Sequence, residues 1–146
     1  MLSLVLLVFI FTVSKWSGVA AVGPPVVNLG YSIYEGTNLG NGQSQFLGLR
    51  FATPPLGNLR WKKPLPPQST KGIQQATALP PACFGVDQGV TTSLSEDCLF
   101  INVWSPSDAT PGSRLPTLFW IQGGGYETNA DPNVSLPSGI NFGYSS

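Results

Sequence analysis

The chain contains no histidine, and that absence removes more chemistry than any other feature. Histidine is the side chain whose ordinary pKa suits proton transfer near neutral pH, and imidazole-based metal sites go with it. Charge is scarce as well: seven basic and seven acidic residues, 10% of the chain, balance to zero. Nothing in that balance points to nucleic acid, and the low total is unusual for a free-standing soluble domain. Only two cysteines are present, and they do not have Cys-x-x-Cys spacing, so a thiolate zinc site is unsupported. No Gly-x-Ser-x-Gly occurs, so no nucleophile elbow is present. Internal repeats and low-complexity tracts are also missing.

What is abundant is punctuation. Seventeen glycines and fourteen prolines interrupt nearly every segment of the 146 residues, a length that suits one small domain or a piece of a larger one. Residues 1–21 read as a secretory signal peptide. Leu4 to Phe11 is an unbroken apolar run, too short to span a bilayer, and Gly18 to Ala21 offers small residues for cleavage. The start is atypical, because no cation precedes the run and Lys15 follows it; an uncleaved apolar anchor is the alternative. Export would make an isolated pair, Cys83 and Cys98, most simply a disulfide with 14 residues between its ends, a bridge that contributes about 3 kcal/mol by loop-closure entropy. Two free thiols are the alternative. Asn133-Val134-Ser135 is an acceptor triplet for glycosylation.

Val26 to Tyr34 reads as a strand interrupted by Gly30. Turn residues follow over Glu35 to Gly42, and Gln45 to Phe51 reads as a second strand, giving an early hairpin. Cys98 to Trp104 alternates, with Leu99, Ile101 and Val103 on one face and Phe100, Asn102 and Trp104 on the other. Leu118-Phe119-Trp120-Ile121 is continuously apolar, the pattern of a strand covered on both faces, usually by helices. No amphipathic helical pattern is available downstream to cover it. Truncation of an α/β domain accounts for the mismatch, and a small β-sandwich is the alternative.

Gly123-Gly124-Gly125 follows that apolar run directly. Glycines at the carboxyl end of a buried strand let backbone N–H groups approach a developing oxyanion; the commoner use of such a triplet is a tight turn. A phosphate loop is excluded because no Gly-Lys-Ser/Thr follows. Glu96 and Asp97 are adjacent, so on an extended chain they point to opposite faces and cannot work as an acid–base pair on one substrate. A structural ion pair or turn role is the better reading.

Glu96-Asp97-Cys98-Leu99-Phe100-Ile101-Asn102-Val103 resembles the signature of the type-B carboxylesterase family, which includes secreted esterases, fungal lipases and cholinesterases on the α/β-hydrolase fold. Phe46-Leu47-Gly48-Leu49-Arg50-Phe51-Ala52-Thr53-Pro54-Pro55 is similar to the family's early Gly-Ile-Pro-Tyr-Ala-x-Pro-Pro segment, Leu56 to Trp61 to its Gly-x-x-Arg-Phe, and Trp120 to Tyr126 to its oxyanion strand and loop. The resemblance runs from about Val26 to Tyr126 and fades after about Asp131. It implies the amino-terminal part of an α/β-hydrolase domain over residues 22–146, here mostly strands and loops. It implies oxyanion-hole N–H groups at Gly124 and Gly125, a Cys83–Cys98 disulfide and a buried Arg60–Glu96 ion pair. Gln122 departs from the His or Tyr usual before the glycines. The Cys83–Cys98 loop has no Trp, unlike cholinesterases.

The implied parent reaction is hydrolysis of a small-molecule or lipid ester through an acyl-serine, with no cofactor. The nucleophile, acid and histidine of the family pattern are not among these residues. The expectation is therefore a secreted, truncated chain that is inactive alone. A catalytically dead binding protein of the same fold, or an unrelated small secreted β-protein, is the competing reading.

Overall fold

The computed structural model of the chain describes residues 23–86 and 93–121. Among these residues there are two three-stranded sheets, one short 3₁₀ turn at Gly57–Leu59, and no α-helix. The strands are β1 (Val26–Asn28), β2 (Ile33–Glu35), β3 (Thr37–Asn38), β4 (Gln43–Arg50), β5 (Ile73–Gln75) and β6 (Phe100–Pro106). One sheet has the order β1-β2-β5 and the other β3-β4-β6.

The stretch expected as one interrupted strand, Val26 to Tyr34, is itself a hairpin. Gly30 sits in the turn with φ +85°, and its N–H donates to Asn28 Oδ1 at 2.8 Å, so β1 and β2 pair antiparallel with Val27 opposite Tyr34. A second hairpin follows at once. Asn38 Oδ1 accepts from Gly40 N–H at 2.9 Å, Gly40 and Gly42 take positive φ, and β3 turns back onto β4. The asparagines hold these turns through their own side chains, and the glycines adopt the left-handed backbone they require. The expected single hairpin is therefore two, because each Asn–Gly cluster closes its own turn within a few residues.

β4 and β6 pair antiparallel, and the ladder slips between Phe46 and Leu49. Leu47 and Gly48 stand opposite Asn102 alone, a bulge for which Gly48 adopts φ +77°. The Asn102 carboxamide Oδ1 accepts the Gly48 N–H at 2.8 Å, replacing the lost ladder bond. The bulge also frees Leu47 N–H to donate to the Ala76 carbonyl at 2.8 Å, and Ala76 N–H donates to Glu35 O at 2.7 Å. Through Ala76 the bulge joins the two sheets.

The core sits at that junction. Tyr34, Phe46, Leu49 and Ala76 are buried together, with Val27, Tyr31, Ile101 and Val103 packed around them. Ile101 and Val103, which the alternation put on one face, both pack against this core. Leu118 to Ile121 differs from its expected form: it is irregular rather than a strand, and Ile121 is 78% exposed. No described strand pairs with it. An apolar segment without a hydrogen-bonding neighbour or a covering layer has no reason to hold strand geometry.

The packing beside β4 is tight at Gly36. A Cβ there would lie 2.7 Å from Phe46 Cδ1. Gly36→Ala is expected to destabilise the chain by about 1–3 kcal/mol through overpacking, read as a lowered midpoint in chemical denaturation, whereas Gly23→Ala, with open space around it, should leave the midpoint unchanged.

Candidate functional site

The signature segment immediately precedes β6, and its backbone is fixed locally. Asp97 N–H donates to Ser95 Oγ at 3.0 Å, and Phe100 N–H donates to the Cys98 carbonyl at 3.0 Å. Upstream, Ala82 N–H donates to Ser93 O at 2.9 Å and Ser95 N–H to Ala82 O at 2.8 Å, forming a parallel bridge that lays residues 93–95 beside Ala82. That bridge brings Cys83 to Cys98, and the two are joined in a disulfide with Cα atoms 5.0 Å apart.

Three consecutive side chains then fasten to three different segments. Glu96 reaches the loop after β4: its Oε1 lies 3.0 Å from Arg60 Nη2. Asp97 reaches the end of β4, where Arg50 Nη1 and Nη2 each donate to one carboxylate oxygen at 2.6 Å. Cys98 carries the disulfide to Cys83. Alternation along an extended backbone makes this divergence possible.

The Arg60–Glu96 pair differs from its expected setting. The side chains are 53% and 40% exposed, so the pair lies at the surface rather than buried. Water competes for both ions, and a pair of this kind contributes little to stability. The Arg50–Asp97 pair is better placed. It is bidentate and partly shielded, and the Arg50 guanidinium carbon lies 4.5 Å from the centre of the Phe100 ring. Tyr31 OH donates to the Arg50 carbonyl at 2.6 Å, and Arg50 N–H donates to Tyr34 OH at 3.4 Å. Burial, then the neighbouring Tyr34, pushes the Tyr31 phenol above its ordinary value.

The sequence reading missed Arg50. The signal was present, because the similar family segment carries proline between its aliphatic residue and its aromatic. A cation in that place, in a chain with seven basic residues, calls for an acid. Asn102 was placed on its strand face, but its bond to the bulge required the register to be known. The glycines expected to form the oxyanion hole, Gly124 and Gly125, lie outside the described residues, as do Gln122, Asn133 and the leader 1–21. Among the described residues no group of three or more Cys, Asp and Glu side chains is placed to hold a metal.

A family model described as "Carboxylesterase family" matches residues 24–137. The match extends past Asp131, beyond the point at which the resemblance was expected to fade. Carboxylesterase 5A of Mus musculus is 42% identical over 97 residues, covering 58% of this chain and 17% of the mouse protein. Cocaine esterase of Oryctolagus cuniculus is 42% identical over 103 residues, covering 62% and 19%. The crystal structure of Aspergillus niger EstA superposes with a TM-score of 0.70 and 48% identity, over 73% of this chain and 21% of that one. The chain spans about a fifth of the length of these relatives.

Two outcomes follow from the geometry around Cys98. The bidentate hydrogen bonds from Arg50, aided by its charge and opposed by burial, hold the Asp97 carboxyl below its ordinary value of 3.8. A depressed carboxyl contributes stability that is complete above the ordinary value and is lost as pH falls through the depressed one. Acid titration of the denaturation midpoint should therefore drop more steeply below pH 3.8 in the parent chain than in Asp97→Asn. Replacing both Cys83 and Cys98 by Ala should lower stability by about 3 kcal/mol, checked by comparing oxidised and substituted chains in urea.

Proposed function

Because the chain belongs to the carboxylesterase family, we propose that it supplies the oxyanion loop of a carboxylic-ester hydrolase that works through an acyl-serine intermediate. The observation that carries this reading is the family match over residues 24–137, which includes the Gly123-Gly124-Gly125 triplet. The fold is part of an α/β-hydrolase, as its structural neighbours are.

In ester hydrolysis the attacked carbonyl oxygen becomes negatively charged. The proposed role of Gly124 and Gly125 is to donate backbone N–H groups to that oxygen. Donors already aimed at the developing charge need no reorganisation during reaction, and each is worth roughly 3 kcal/mol. Glycine keeps the loop free of Cβ atoms where the substrate must approach. The hydroxyl that would attack and the base that would take its proton are not supplied here: the 146 residues hold no histidine and no Gly-x-Ser-x-Gly. The chain alone is therefore proposed to be inactive. Residues 1–21 are proposed as an export signal and 22–146 as the esterase portion; the Cys83–Cys98 disulfide supports an oxidising destination.

The test joins residues 22–121 and the glycine loop of this chain to the remaining segments of Aspergillus niger EstA, the 48% identical neighbour. The chimera is expected to hydrolyse a short activated ester, and Gly125→Ala should lower its kcat roughly 100-fold with little change in KM. A folded chimera with normal kcat after Gly125→Ala would reduce the triplet to a turn. The 146-residue chain itself should show no turnover and no stoichiometric labelling by an organophosphate serine probe.

A further inference from the structure

Net charge zero conceals a strong segregation. Between Gly36 and Val86 there is no Asp or Glu, while Arg50, Arg60, Lys62, Lys63 and Lys71 all fall there. Two of these cations are neutralised from outside the segment, Arg50 by Asp97 and Arg60 by Glu96. Lys62, Lys63 and Lys71 make no ion pair among the described residues.

Lys62 and Lys63 stand on a compact surface loop. Thr53 closes its neck twice, its N–H donating to the Leu65 carbonyl at 3.0 Å and its Oγ1 to the Pro66 carbonyl at 2.6 Å. Pro54, Pro55, Pro64 and Pro66 restrict the backbone at that neck. The 3₁₀ turn Gly57–Leu59 tightens the head, and the Arg60–Glu96 pair ties the head to the signature segment. At the tip Trp61 is 97% exposed and holds φ +60°. Bulky residues rarely adopt that conformation, and where it persists the surrounding structure enforces it. No ring or cation among the described residues stacks on the indole. Lys62 and Lys63 border a shallow hollow floored by Pro55, Leu59, Leu65 and Leu99.

We propose that this loop docks on an anionic lipid surface, with Trp61 entering the headgroup zone and Lys62 and Lys63 facing lipid phosphates and carboxylates. An indole offers an apolar body and one N–H donor, which suits the boundary between acyl chains and water. Lysines beside it keep their charge in the headgroups while their stems lie against the apolar layer. Lys62 and Lys63, in a segment with no acid of its own between residues 36 and 86, complement a negative membrane surface. A braced loop presents these groups with little ordering left to do on contact. This docking does not depend on the esterase reading, and it could operate in a catalytic or a non-catalytic protein.

The test is cosedimentation of the 146-residue chain with vesicles of phosphatidylcholine alone and of phosphatidylcholine mixed with phosphatidylserine. Binding is expected to the mixed vesicles, weakening as salt is raised, with a blue shift in tryptophan emission. Lys62→Gln with Lys63→Gln should weaken it roughly 25-fold, about fivefold for each lysine. Trp61→Asn, which tolerates the same backbone conformation, should remove most of the blue shift. Phe119→Ser with Ile121→Ser tests a second exposed apolar segment among the described residues and should leave the preference for anionic vesicles intact. Absence of binding, or equal binding to both vesicle types, would overturn the proposal. So would an anionic preference that survives the lysine and tryptophan substitutions, or one that disappears with the Phe119 and Ile121 pair.

Discussion

The two hydrogen bonds between Arg50 and Asp97 hold the described fold at the point where its parts diverge. Arg50 is the last residue of β4 and stands opposite Phe100, the first residue of β6. Without the pair, the end of the longest ladder would fray, and the signature segment would lose its attachment to the sheet. The guanidinium is held by Asp97 and covers the Phe100 ring, while its backbone bonds Tyr31 and Tyr34 of the first sheet and its turn. One residue therefore contacts both sheets and the segment that leads into β6. The partial shielding of the pair matters: its energy is screened less than that of the exposed Arg60–Glu96 contact, and its fork geometry fixes direction as well as distance.

The bulge at Leu47–Gly48 works together with this pair. It shifts the β4–β6 register by one residue, so that Arg50 meets Phe100 and its guanidinium lies over that ring beside Asp97. It also turns Leu47 N–H toward Ala76 and links the sheets through their backbones. Gly48 supplies the positive φ, and Asn102 supplies the acceptor that a bulge would otherwise leave missing. In the resemblance, glycine and asparagine were landmarks at a distance in sequence; in the fold they are the two halves of one hydrogen bond.

Much of this was legible from residue patterns. The alternation of Leu99 to Trp104 put Ile101 and Val103 on one shared face, which the fold turns toward the core, and the carboxylesterase family was recognisable from ordered motifs that the family match over 24–137 supports. Local turn chemistry was legible only in part: the Asn and Gly clusters marked turns, but two hairpins were merged into one because strands of two or three residues leave almost no periodic signal. Burial was the weaker reading. Arg60–Glu96 lies at the surface, and Leu118 to Ile121 is exposed and irregular, because burial depends on what covers a segment and not on its own composition. Arg50 went unnoticed since its importance comes from a partner 47 residues away, which pattern reading along the chain does not join.

The central claim is that Arg50 and Asp97 couple β4 to β6 through one bidentate contact. A double-mutant cycle with Arg50→Met and Asp97→Asn, read by amide hydrogen exchange at Ile101 and Val103 in the 146-residue chain, tests it most directly. The account expects each substitution alone to lower protection in β6, the second to add little to the first, and a coupling of about 1 kcal/mol, at the upper end of the range of an exposed pair. Additive effects with no coupling, or unchanged exchange in both single variants, would contradict it.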